Sequence, residues 1–166
     1  NVQTRGIVAT TLTVKAGAKR TSLASTSTEV EALDLNVTEV LTIEAGASID
    51  VTGRGYPAGA TYSGNVESTN AGGSHLGVGG APGSAAKALT YGSVERPREA
   101  GSGAWGTNPR SGGGVVRIGA GSIVLGGSMA SILANGGLGG WEGGAGGSIW
   151  ITAGTGGRSP GIWSIS

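Results

Sequence analysis

The sequence predicts an all-β fold: a right-handed parallel β-helix (solenoid) forming a single module over residues 1–166, with a long Gly-rich insertion at 53–110. Three observations lead there. Helix signals are nearly missing, short runs of alternating apolar residues recur, and one four-residue pattern returns along the chain.

The pattern is a β-branched residue, any residue, Ala, Gly. It appears as Val14-Lys15-Ala16-Gly17, Ile43-Glu44-Ala45-Gly46, Ile118-Gly119-Ala120-Gly121 and Ile151-Thr152-Ala153-Gly154. Measured on the β-branched residue, the intervals are 29, 75 and 33, as a repeat with one large insertion would give. A strand cannot bury its apolar side alone, so stacked strands would make the core. Ala-Gly after each strand suits a tight corner. Val14, Ile43, Ile118 and Ile151 are therefore expected at equivalent inward positions. An antiparallel sandwich with Gly-rich loops is the competing arrangement. The best helix candidate, Ser25 to Leu35, reads equally well as the alternating run Leu33-Asp34-Leu35-Asn36-Val37.

The insertion interleaves Gly with Tyr56, Pro57, His75 and Tyr91, which favours an ordered loop packed on one flank over a floppy one. A second Gly-rich stretch, 135–147, has Gly pairs three residues apart. That spacing suits polyproline-II-like segments, which have three residues per turn and let Gly-lined faces pack closely; a flexible linker is the other reading.

Composition narrows the partners. With 36 glycines, no cysteine, 13% charged residues and a net charge of +1, the chain offers no disulfide framework and no Cys-ligated metal. It also gives no electrostatic reason to expect nucleic acid as a partner. No apolar stretch approaches the ~20 residues of a membrane-crossing helix, so no membrane insertion is expected. The chain begins at Asn1 rather than Met, as a processed or excised piece would.

The order of short motifs carries a resemblance. Gly72-Gly73-Ser74-His75, Tyr91-Gly92-Ser93 with Pro97 and Gly101-Ser102-Gly103, Gly112-Gly113-Gly114-Val115-Val116-Arg117-Ile118, Ala134-Asn135-Gly136-Gly137 and Gly147-Ser148-Ile149-Trp150-Ile151 follow one another over residues 40–155. This order resembles the Gly-rich β-helix modules of large secreted or cell-surface, adhesin-like proteins. The resemblance implies an extracellular location and a structural or adhesive role, and it implies no catalytic chemistry. The chain departs from it around Ser84–Leu89, where Gly runs are fewer.

Candidate chemistry is sparse. The single histidine, His75, reads as a loop anchor rather than a metal ligand or catalytic base. Asp34 and Asp50 have no neighbouring acid at a ligand-like spacing, and Glu95-Arg96-Pro97-Arg98-Glu99 reads as self-paired surface charge. No catalytic residue, metal site or cofactor is expected, and the chain is read as not an enzyme. The aromatic residues are the expected surface or ligand contacts: Tyr91, Trp105, Trp141 and Trp150. In Ile149-Trp150-Ile151 a period of two points both Ile inward and Trp150 outward. Asn36-Val37-Thr38 is a sequon that makes Asn36 a candidate N-glycosylation site in a eukaryotic secretory setting.

The expected function is an extracellular structural or adhesive module, self-assembling head-to-tail into a fibre or joined to neighbouring modules of a longer chain. The self-association candidates are Ile7, Val8 and Leu12 at one end and Ile162, Trp163 and Ile165 at the other, where uncapped strands would invite pairing. The alternative is a carbohydrate-binding or polysaccharide-cleaving protein with carbohydrate as partner.

Overall fold

A computed structural model describes residues 2–65, 70–83, 87–138 and 142–154. Among these residues there are nine strands and no helix: β1 (Val2–Gln3), β2 (Gly6–Ala9), β3 (Leu12–Val14), β4 (Lys19–Thr21), β5 (Ala32–Glu44), β6 (Ser48–Asp50), β7 (Val115–Gly126), β8 (Ser131–Leu133) and β9 (Ser148–Ala153). The strands sort into a four-stranded sheet, β1-β4-β6-β8, and a five-stranded sheet, β2-β5-β7-β9 with β3 also paired to β5; every pairing between these strands is parallel.

This corrects the expected right-handed parallel β-helix. The strands lie in two sheets and do not close into a solenoid. The physical reason lies in unequal strand lengths and connections. β5 and β7 run 13 and 12 residues, whereas the four strands of the smaller sheet have two or three each. The described residues between β6 and β7 also fold into a layer of their own.

Alternation decides which side chains enter the core. Leu33, Leu35, Val37, Leu41 and Ile43 of β5 and Val116, Ile118 and Ala120 of β7 are buried, and they pack with Val14, Ala47, Ile49 and Val51. Burying each large aliphatic side chain contributes roughly 1.5–3 kcal/mol.

The alignment of the repeats is also corrected. Val14 stacks on Ile43, and Ile118 on Ile151, but the register pairs Ile118 with Leu35 and Ile43 with Leu125. β5 carries two apolar segments, and the first of them lies against the Ile118 segment. The segments are separated by a bulge at Thr38-Glu39 opposite Gly121. A Cβ on Gly121 would lie 2.6 Å from the carbonyl oxygens of both Thr38 and Glu39, so this glycine serves the bulge inside β7 and not a corner. Gly17, Gly46 and Gly154 do turn corners, with φ of 72°, 71° and 90°.

The described residues of the glycine-rich stretches 51–65, 70–83, 87–114, 134–138 and 142–147 form a backbone-packed layer. Three successive amides diverge: Gly101 donates to the Gly113 carbonyl, Ser102 to Ser74 and Gly103 to Ala60. In return the carbonyls of Gly101 and Ser102 accept from Tyr56 and Ala145. A fan of this kind is what an extended chain with about three residues per turn presents to a ring of neighbours. The neighbours sit so close that a Cβ on Gly101, Gly112, Gly113, Gly136 or Gly144 would fall within 2.3 Å of a backbone oxygen. Tyr56, Ala60, Ala100 and Val115 give this layer a small core, with Val30 packed against it, and it joins the five-stranded sheet through Val115 of β7 and Ala32 of β5.

Candidate functional site

The outward face of the five-stranded sheet carries a mixed polar and aromatic surface that the strands themselves build. Register places Gly6, Asp34, Arg117 and Trp150 in one row across β2, β5, β7 and β9. A period of two places Asn36, Gly119 and Thr152 in the next row on the same face, with Val8 at its β2 end. Between the rows runs a groove of about 310 Å³ lined by Asp34, Asn36, Arg117, Gly119, Trp150 and Thr152.

Each wall is held differently. The Arg117 guanidinium donates from Nε to Asp34 Oδ1 (2.5 Å) and from Nη2 to Asp34 Oδ2 (2.8 Å), a two-pronged contact. Both side chains are partly exposed, so the pair contributes at most ~1 kcal/mol and chiefly sets geometry. Arg98 reaches over Trp150, its guanidinium carbon 5.1 Å from the ring centroid, a cation–π arrangement. The Thr152 hydroxyl donates to the Ile118 carbonyl at 3.3 Å. Asn36 is exposed and sits mid-strand in β5, not in a loop.

The other aromatic candidates are placed elsewhere. Tyr91 is an internal anchor of the glycine layer. Its hydroxyl donates to the Ala100 carbonyl (2.7 Å) and lies 2.9 Å from Ser102 Oγ, while its ring stacks on Tyr62 at 5.1 Å. Burial pushes the Tyr91 phenol well above its ordinary value. Trp105 is 42% exposed and lies over Gly59, where a Cβ would meet its ring at 2.7 Å; its backbone bridges Ala71. Trp141 lies outside the described residues, as do Ile162, Trp163 and Ile165. Of the N-terminal self-association candidates, Ile7 and Leu12 pack against the core and Val8 is 83% exposed on the outward face.

Nearby polar groups hold the glycine layer together. His75 is buried with Nδ1 2.9 Å from the Gly146 carbonyl, so Nδ1 carries the proton and donates. Burial holds its pKa below the ordinary histidine value, against the opposing pull of that carbonyl and of Glu99. Ser74 donates to the Ala88 carbonyl and accepts from the Gly79 amide. Glu99 accepts from the Arg98 amide, and Glu95 is exposed; neither lines the groove.

Asp34, Arg98, Arg117, Gly119 and Thr152 escape a reading of the sequence as binding residues. Asp34 and Arg117 are 83 positions apart, and only strand stacking joins them. A signal was nonetheless present in the shared form of Leu33-Asp34-Leu35, Val116-Arg117-Ile118 and Ile149-Trp150-Ile151, in which an outward residue lies between two inward ones. Compared with protein-family models, curated proteins and solved structures, the chain matches none.

Proposed function

We propose that the chain is an extracellular, non-enzymatic module with a structural or adhesive role, joining further copies of itself through the edges of its sheets. One observation carries this reading. Among the described residues β9 ends the five-stranded sheet, and its Ile149 and Ile151 stand in register with the buried Val116 and Ile118. Those two core residues are 0% and 2% exposed, whereas Ile149 and Ile151 are 38% and 42% exposed. An inner apolar row that continues to the rim is completed when another strand adds to the edge. Joining one rim to the opposite rim of the next copy is a head-to-tail contact, which propagates as an open fibre unless its rotation closes a ring.

The test is light scattering across a concentration series, on the parent chain and on Ile151→Lys. Concentration-dependent growth in mass, lost in the variant while its far-UV circular dichroism is unchanged, is the expected result. A parent chain that stays monomeric throughout refutes the reading.

A second reading, carbohydrate binding, is favoured by the groove at Trp150. It is compatible with the first, because an adhesive module needs a surface that recognises something.

A further inference from the structure

We infer that the groove between Asp34 and Thr152 binds an acidic pyranose of a polysaccharide; the inference rests on the carbohydrate-binding reading and gives its ligand class. The starting point is Gly119. A glycine in the middle of a strand weakens it, and where the fold itself does not demand one it marks a close approach by a ligand or another chain. Two residues on, Gly121 is demanded by the bulge, since its Cβ would collide with Thr38 and Glu39 carbonyls at 2.6 Å. Gly119 is different. Its Cβ would meet only the Thr152 hydroxyl, at an ordinary 3.6 Å, and its φ is not in the left-handed region. The fold would accept a side chain here, and the bare backbone leaves an open floor in the groove.

What surrounds that floor suits a sugar ring. Trp150 supplies an apolar aromatic wall for the C–H bonds of a pyranose. Asn36 offers both a donor and an acceptor and Thr152 a hydroxyl, one on each side of Gly119 and so two strand spacings, roughly 9.5 Å, apart. Asp34 already accepts from Arg117 but keeps lone pairs for sugar hydroxyls. The volume of about 310 Å³ lies at the small end of ligand sites and fits a ring or two.

Charge selects an acidic sugar. Arg117 is neutralised by Asp34, whereas Arg98 is exposed, stacked over Trp150 and in no ion pair with any described carboxylate. One uncompensated guanidinium beside an aromatic wall matches one oxyanion per sugar, a carboxylate or a sulfate ester, both of which accept its paired N–H groups.

Binding is read by isothermal titration with polygalacturonate, dextran sulfate and neutral dextran. The expected result is binding to at least one acidic polymer at least tenfold tighter than to dextran, weakening as salt rises. Which acidic polymer binds distinguishes carboxylate from sulfate. Trp150→Ala and Gly119→Leu each reduce binding tenfold or more with the melting temperature within a few degrees of the parent, and Arg98→Gln removes the preference for acidic over neutral polymer. Should Gly119→Leu fail to fold, Asn36→Trp blocks the same groove from an exposed position. No binding to any of the three polymers overturns the inference, as does binding that survives both Trp150→Ala and the groove-blocking variant. Equal affinity for dextran overturns the acidic assignment. A chain that assembles but binds none of them refutes this inference alone, and one that binds but stays monomeric refutes only the assembly reading.

Discussion

Gly101→Ala is the sharpest test of how the glycine layer is built. The new Cβ would lie 2.3 Å from the Ala145 carbonyl oxygen and 2.4 Å from that of Gly146, and real Cβ atoms essentially never come within 3.0 Å. Relief requires one backbone to move by at least about 0.7 Å, the gap between 2.3 and 3.0 Å. Neither chain is free to move. Gly101 donates to Gly113 at 2.9 Å, Gly113 to Ala145 at 2.8 Å, and Ala145 to Ser102 at 3.0 Å, so a shift of that size breaks or strains two of these bonds. Each lost bond costs roughly 0.5–1.5 kcal/mol and overpacking a tight site adds about 1–3 kcal/mol. Reduced freedom of the unfolded chain offsets ~0.4–1 kcal/mol of this. The net is a destabilisation of about 3 kcal/mol, a fall of roughly 6–12 °C in melting temperature for a chain of 166 residues. Urea and thermal unfolding followed by circular dichroism measure it, with Gly77→Ala as control, because a Cβ there meets nothing within 4 Å. The control is expected within about 1 kcal/mol of the parent. If Gly101→Ala melts within ~2 °C of the parent, the close backbone packing described above is wrong.

Three further predictions follow from named contacts. Ile118→Ala removes a side chain 2% exposed and is expected to cost ~2–5 kcal/mol in urea unfolding, whereas Leu125→Ala, at 48% exposed, costs far less; equal losses would contradict the burial pattern. Tyr91→Phe strips the hydroxyl from the buried Ala100 carbonyl, while Ser102 keeps its contact with Thr61 at 2.6 Å; leaving that carbonyl unsatisfied should cost roughly 1–3 kcal/mol. A variant as stable as the parent would show that solvent satisfies it. His75 has a folded-state pKa below its unfolded value of ~6.5, so the fold favours the neutral ring. The resulting stability is complete above that unfolded value and is lost as pH falls from it toward the folded pKa. Melting temperatures from about pH 8 to pH 5 should therefore fall more steeply for the parent than for His75→Gln, and parallel curves would remove His75 as the cause.

Much of the groove was written in local pattern yet could not be assembled from it. Each apolar-X-apolar triplet marks an outward residue, which is enough to turn Asp34, Arg117 and Trp150 to the surface. Placing them in one row requires the register, and the motif match suggested the wrong one. Ile43 and Ile118 share the Ala-Gly ending, but Leu35 is the residue that lies beside Ile118. Arg98 was further from reach, since a charged loop residue gives no local sign that it will fold over a strand 52 positions on.

The chain's own residues determined which segments extend and which side faces inward, because alternation and β-branching act over a few residues and need no partner. Leu33, Leu35 and Val37 are buried where their spacing places them. Only the tertiary structure decided how the strands divide into two sheets, which apolar segment of β5 pairs with which half of β7, and what each glycine is for. Ile118-Gly119-Ala120-Gly121 shows why. The two glycines are indistinguishable in local sequence, but one opposes the Thr38-Glu39 bulge and has no room for a side chain, while the other opens onto the groove. The difference lies in what stands opposite them, Thr38 and Glu39 for Gly121 and Thr152 for Gly119, all more than 30 residues away in the chain, and contacts at that separation are made by packing and not by propensity.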